Sequence, residues 1–220
     1  MDIQKTIIFI LLLFCNPAFA GETATTATHT YTLVQNESKL IATDTHTNSE
    51  SILTLSHYPT SITILNNKAY IVGQRSVSIV CLDTFKIIKV LSVGRTANTM
   101  IIHGNYGYIS NEASSTISVI DLTTDDVANT LTVGSFPHPM IVFEDRGFVV
   151  NRLSDTVSVI DLKSQTVLDP IPAHRSNHPM TIKGEFGYII DNESGKTLTI
   201  DLKHLKILKD IPPKNICDLL

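Results

Sequence analysis

Residues 107–122 read GYISNEASSTISVIDL, residues 147–162 read GFVVNRLSDTVSVIDL, and residues 187–202 read GYIIDNESGKTLTIDL. A constant offset of 40 residues relates the three stretches, with no gap between aligned positions. The match extends beyond them: Gly94, Gly134 and His174 share one position, and Met100, Met140 and Met180 share another. Upstream, residues 69–82 (AYIVGQRSVSIVCL) fit after a two-residue deletion, and residues 30–44 (TYTLVQNESKLIATD) fit with more substitution. A fixed period of this length marks an architecture of stacked units, each too small to bury its own apolar faces.

The local pattern within one period is that of strands. Tyr108-Ile-Ser, Ile117-Ser-Val-Ile, Val127 to Val133 and Met140-Ile-Val-Phe are short runs rich in β-branched and aromatic residues. Between them stand turn formers: Asn111, Ser114-Ser115, Thr123 to Asp126, Gly134 and Pro137. Asn66-Asn67 and Gly104-Asn105 suit tight hairpins that require positive φ. Helical periodicity is absent after the first twenty residues. Four strands per unit, buried on both faces by neighbouring units, account for runs that are nearly continuously apolar. The expected fold is therefore all-β: a β-propeller of four-stranded blades with a repeat of about 40 residues.

The order G-Y-I-S-N, S-V-I-D-L, L-T-V-G and a Pro-containing turn resembles the YVTN β-propeller repeat family, over about residues 30–211. The likeness is specific in residues 107–202 and loose before residue 69. Gly73 and Asp191 depart from the motif Asn, Cys81 from the motif Asp, and the Pro-Asp-Gly turn of that family is replaced by Glu144-Asp145-Arg146-Gly147. The resemblance implies that the strand after the Pro turn is innermost. On that phasing one blade has strands near 138–145, 147–151, 156–162 and 166–172. The blades then fall at about 21–56, 57–94, 95–134, 135–174 and 175–211, followed by a tail at 212–220. Five blades match the length after residue 20. The family commonly has seven, so an open arc or a piece of a larger propeller is the alternative. Self-association is expected if the ring is open. The segment that must supply the first inner strand, 21–30, is mostly Ala and Thr and promises poor packing.

The first twenty residues differ from the rest. Ile7 to Cys15 form a nine-residue apolar run after Lys5, ending at Ala18-Phe19-Ala20. A bilayer span needs about 20 residues. The pattern is that of a secretory signal peptide, residues 1–20, so the expected location is secreted or periplasmic, in the cell envelope, with no membrane span after cleavage. Phe14 before Cys15 argues against lipidation. Of the 3 cysteines, Cys81 and Cys217 lie beyond the signal, and whether they pair depends on a distance that sequence does not give. The chain of 220 residues is 43% apolar and 17% charged, with a net charge of −4, which excludes a disordered chain and gives no footprint for nucleic acid.

Candidate chemistry gathers where loops from successive blades meet. Arg95, Asn98, His138, His174, Arg175 and His178 lie on the outer-to-inner loops, with Asn98, His138 and His178 at one repeat position. They are expected to form a polar, partly cationic face at the channel mouth, joined by loops 111–115, 151–155 and 192–196. Paired imidazoles suggest a metal, but no carboxylate or Cys adjoins them in sequence, and no metal site is expected. Asp121, Asp161 and Asp201 recur blade after blade and are read as turn supports rather than catalytic acids. Asn111 and Asn151 are read in the same way, and the repeating tyrosines and methionines as packing.

Motifs for nucleophilic hydrolysis, nucleotide binding, zinc or covalent haem are absent. The expectation is a non-catalytic binding scaffold, with no cofactor, for a protein, glycan or small polar ligand. The resemblance also implies a rival reading: a haem- or quinone-dependent periplasmic enzyme, or a lactonase-like one. A subunit of a surface-layer adhesin is a third.

Overall fold

The computed structural model describes residues 22–173, 176, 178–191 and 194–211. Residues 1–20, where a signal peptide is expected, the tail at 212–220, Cys217, His174 and Arg175 lie outside them. The described residues form five antiparallel sheets in chain order. The first holds β1 (Thr23–Thr25), β2 (His29–Val34), β3 (Lys39–Asp44) and β4 (Glu50–Thr54). The second holds β5 (Pro59–Leu65), β6 (Lys68–Gly73), β7 (Ser76–Cys81) and β8 (Lys86–Ser92), and the third β9 (Ala97–His103), β10 (Tyr106–Asn111), β11 (Thr116–Asp121) and β12 (Asp126–Thr132). In the fourth, β13 (Ile141–Phe143), β14 (Arg146–Asn151) and β15 (Thr156–Asp161) are followed by an outer edge broken into β16 (Thr166–Val167) and β17 (Ile171–Pro172). Pro170 interrupts that edge, where a missing N–H is tolerated. The fifth holds β18 (Thr181–Lys183), β19 (Phe186–Ile190), β20 (Thr197–Asp201) and β21 (Lys206–Ile211).

The Ala/Thr-rich segment does supply an inner strand, but one of only three residues, β1, paired Ala24 to Tyr31. Asn66 and Asn67 both have positive φ, 47° and 62°, in the two-residue hairpin between β5 and β6. At the matching hairpin of the third sheet only Gly104 does, at 59°. Outside strands, the described regular structure is two single 3₁₀ turns, Gln35–Glu37 and Glu112–Ser114, at one repeat position.

The chain divides into two compact units, residues up to 93 with 97–100, and 94–96 with residues from 101 onward. In the first unit, Tyr31, Leu33, Leu40 and Ala42 of the first sheet share a core with Ile62, Ala69, Ile71 and Val80 of the second. In the second unit, Tyr108, Ile117 and Val119 pack with Met140, Val149 and Ile160. The opposite face of the fourth sheet, Phe148, Val150, Val157 and Val159, packs with Met180, Ile189, Leu198 and Ile200. Successive residues of one strand thus face different neighbours, which is why Gly147 through Asn151 are all buried. Each such Val or Ile contributes roughly 1.5–3 kcal/mol. Met140 and Met180 lie over Gly147 and Gly187, so their role is packing. Polar ties reinforce the stack: Tyr108 donates to the Leu162 carbonyl at 3.5 Å, and Arg146 donates to the Lys203 carbonyl at 3.0 Å.

The recurrent aspartates fasten the turn that follows the third strand of each blade. Asp121 Oδ1 accepts the Thr123 N–H at 2.8 Å, Asp161 those of Lys163 and Ser164 at 2.9 Å, and Asp201 those of Lys203 and His204 at 3.0 Å. Asp44 does the same for His46 and Thr47 at 2.8 Å. Hydrogen bonds to these turns, led at Asp121 by one from the Thr123 hydroxyl at 2.6 Å, hold all four carboxyls below their ordinary range. In the second sheet Cys81 takes that position as a half-buried free thiol, lowered by hydrogen bonds from Thr84.

Candidate functional site

The loops at one end of the second unit are built around a recurring Asn–Gly contact. Asn111 Nδ2 donates to Thr116 Oγ1 at 3.0 Å and Ser118 Oγ at 2.9 Å, and Asn151 repeats this with Thr156 and Ser158 at the same distances. Each Asn packs against the glycine in the loop before the inner strand. A Cβ at Gly94 would come 2.6 Å from the Asn111 Cβ, and one at Gly134 would come 2.5 Å from the Asn151 Cγ. Glycine is required there by close approach, since any side chain would displace the asparagine. Both asparagines are buried, and their Oδ1 atoms have no hydrogen-bond partner.

This contact brings two loops edge to edge. Arg152 N–H donates to the Phe136 carbonyl at 3.0 Å and Leu153 N–H to that of Ser135 at 3.1 Å. Glu112 and Ala113 pair in the same way with Thr96 and Arg95, at 3.1 and 3.2 Å. The Arg152 guanidinium lies 5.3 Å from the centre of the Phe136 ring, a cation–π contact. The inner loop then turns, and the His138 N–H donates to the Val150 carbonyl at 2.9 Å.

His138 is the centre of the face. Burial pushes its imidazole below the ordinary histidine range, and the nearby positive charges of Arg152 and His178 add to this. A hydrogen bond to the Ser176 main chain and the charge of Glu112 oppose the shift. The ring is therefore neutral at pH 7. Its Nε2 is buried and has no partner. Ser176 is 1% exposed; its hydroxyl donates to the His178 carbonyl at 3.0 Å and accepts the His178 N–H at 3.1 Å, which shapes the loop that presents His178.

Of the residues singled out in the sequence, the structure brings His138 and His178 within electrostatic reach of each other. Arg95 is exposed, its N–H bonded to Ser114 Oγ at 2.8 Å. Asn98 belongs to the first unit, where its Oδ1 accepts the Thr99 N–H at 2.8 Å. Glu112, Arg152 and Ser176 lie on loops expected to form this face but were not singled out. Glu112 and Arg152 both follow the motif Asn, so the loop position was available, but the two residues differ and no repeat drew attention to them. Among the described residues, no group of three His, Cys, Asp or Glu side chains could hold a metal ion.

No family model matches the chain, and no curated protein does. Solved structures do. One is the dihydro-heme d1 dehydrogenase NirN in complex with DHE: 12% identity, TM-score 0.70, 84% of this chain and 44% of that one. BamB from Moraxella catarrhalis matches at 13% identity and TM-score 0.66, over 83% of this chain and 57% of that one. The computationally designed Ika8 protein matches at 13% identity and TM-score 0.69, over 86% and 60%. The fold is a β-propeller of four-stranded blades. This chain spans less than two thirds of the length of each of these three propellers, and identities this low speak to architecture alone. No helix among the described residues is long and apolar enough to cross a membrane.

Proposed function

We propose that this propeller is a non-catalytic binding scaffold of the cell envelope, built from YVTN-type repeats, secreted or periplasmic after removal of residues 1–20. It recognises a protein, glycan or small polar ligand at the His138 and His178 face. The observation that carries the reading is the buried, unpartnered Nε2 of neutral His138. A buried polar atom without a partner costs free energy in the isolated protein, and a ligand donor would recover it. Arg152 and Glu112 supply charge of both signs around it, which suits a polar ligand better than a uniformly anionic one. Rigid sheets carrying variable loops are a common basis for recognition.

The test is capture from the native envelope on immobilised protein, repeated with His138→Ala plus His178→Ala. Loss of a partner with an unchanged melting curve supports the reading; retention removes this face. The same Nε2 favours one second reading, a haem-type group like the DHE of NirN, because imidazole nitrogen is a common iron ligand. A visible spectrum with metal analysis separates the two. A stoichiometric chromophore in the purified protein overturns the scaffold reading.

A further inference from the structure

A groove of about 530 Å³ opens in the first unit, where the β1–β2 loop meets the turn between β7 and β8. Its walls include His29, Tyr31, Ala42, Leu82, Asp83 and Phe85. Several of these are the places where the repeat is broken. In the five sheets the aromatic of the second strand pairs with one residue of the third: Tyr70 with Ile79, Tyr108 with Val119, Phe148 with Val159, Tyr188 with Thr199, and Tyr31 with Ala42. Only in the first sheet is that partner as small as alanine, and the missing carbons leave the hollow beside Tyr31.

Phe85 breaks a second rule. It stands four residues after Cys81 with φ at 48°, in the left-handed region. The matching positions hold Asn48, Asp125, Gln165 and Leu205, at φ from 53° to 58°. Three of these are polar residues, and Asn and Asp suit that conformation best, whereas a bulky ring there is an outlier of the kind found at functional positions. The Phe85 ring lies 6.5 Å from that of Tyr31, tilted by 38°, and His29 stacks on the other ring at 5.9 Å and 30°. Three rings and a deleted side chain thus converge on one opening.

The charge of the groove is negative. Among the described residues no Lys or Arg lines it; Asp83 does, and Asp44 lies 3.9 Å from the Nε2 of His29. The field of Asp83 reaches the Tyr31 hydroxyl, whose pKa is raised mainly by burial and further by that carboxylate. Anionic ligands are disfavoured. Aromatic faces beside a carboxylate attract an alkylammonium by cation–π and Coulomb attraction together.

We propose that this groove binds a small organic cation, an amine or ammonium head on a compact apolar body. The site lies in the first unit and is independent of the His138 face. Choline is the probe, with 3,3-dimethylbutan-1-ol as its uncharged isostere and glucose as a polyol, titrated into the full protein by nuclear magnetic resonance. Choline should shift the ring signals of His29, Tyr31 and Phe85 saturably, with the isostere about 10-fold weaker or more. Asp83→Asn and Phe85→Leu should each weaken choline by about 5-fold or more; Leu205 shows that leucine accepts that backbone geometry. The proposal is overturned if the isostere binds as tightly as choline, if glucose binds and choline does not, if both variants bind as wild type, or if millimolar choline gives no saturable shift. The comparison of choline with its isostere needs no variant, so a folding defect cannot obscure it.

Discussion

The imidazole of His57 fills the space that a side chain on Gly73 would need: a Cβ built there falls 2.7 Å from His57 Nε2 and 2.9 Å from its Cγ. Gly73 stands where the third and fourth sheets carry Asn111 and Asn151. The second sheet has exchanged the motif's asparagine for a histidine that reaches in from the preceding loop. The exchange is incomplete, because neither His57 nitrogen meets hydrogen-bond geometry and Ser78 Oγ is left without the donor that Ser118 and Ser158 receive.

Restoring asparagine alone should therefore harm the protein. Gly73→Asn is expected to cost about 1–3 kcal/mol through overpacking against His57. Adding His57→Gly should recover most of it, since the new amide can then reach Ser78. A double-mutant cycle by urea denaturation measures the coupling. Additive losses would show that the two positions do not compete for one space.

The same burial makes stability depend on pH. Burial lowers the folded pKa of both His57 and His138 below the unfolded value of 6.5. A group with a depressed folded pKa binds more protons unfolded, so these histidines cost stability as pH falls from 7 through 6.5 and below. Glu22 acts in the opposite sense: burial pushes it up to about 7 from 4.5, so its contribution is lost as pH rises across that interval. Comparing wild type with His57→Gln cancels the Glu22 effect. Relative to its midpoint at pH 7.5, the variant's denaturation midpoint at pH 5.5 should lie higher than the wild type's does. An unchanged difference would place His57 in solvent.

The turn aspartates should tolerate Asn better than Ala. Asp161→Ala removes the acceptor for two N–H groups and should lower Tm, while Asp161→Asn keeps an amide oxygen there and should lower it less. Cys81→Asp replaces the weak thiol acceptor of the second sheet with a carboxylate and should raise Tm. Calorimetry of the three variants checks the order.

Gly134→Ala places a methyl group against the Asn151 amide and the Ser154 hydroxyl, and is expected to cost about 1–3 kcal/mol. Gly104→Asn, at φ 59° in open space, should cost far less. Equal losses would show that conformation rather than crowding decides both.

What sequence reading recovers follows the periodicity. The strand order, the aspartate turns, the hairpin Asn66-Asn67 and the packing methionines all repeat, and all are found as expected. The electrostatic influence of His178 on His138 is in keeping with their shared register. The loops of Glu112 and Arg152 follow from the same register, but the two side chains do not, because they occupy a position where the repeats disagree; what ties them to His138 is their charge acting on it. The groove at Tyr31 is harder still to read. It is made of departures at positions 29, 42 and 85, each a weak mismatch along the chain, whose joint effect depends on distances through space.

The asparagine–glycine contact closes entirely within one copy of the repeat and the loop leading into it. A segment of this length therefore carries its own latch. Duplicating or deleting it transfers the fastening intact, so blade number in such a chain can change by whole modules without a new solution for holding each one shut.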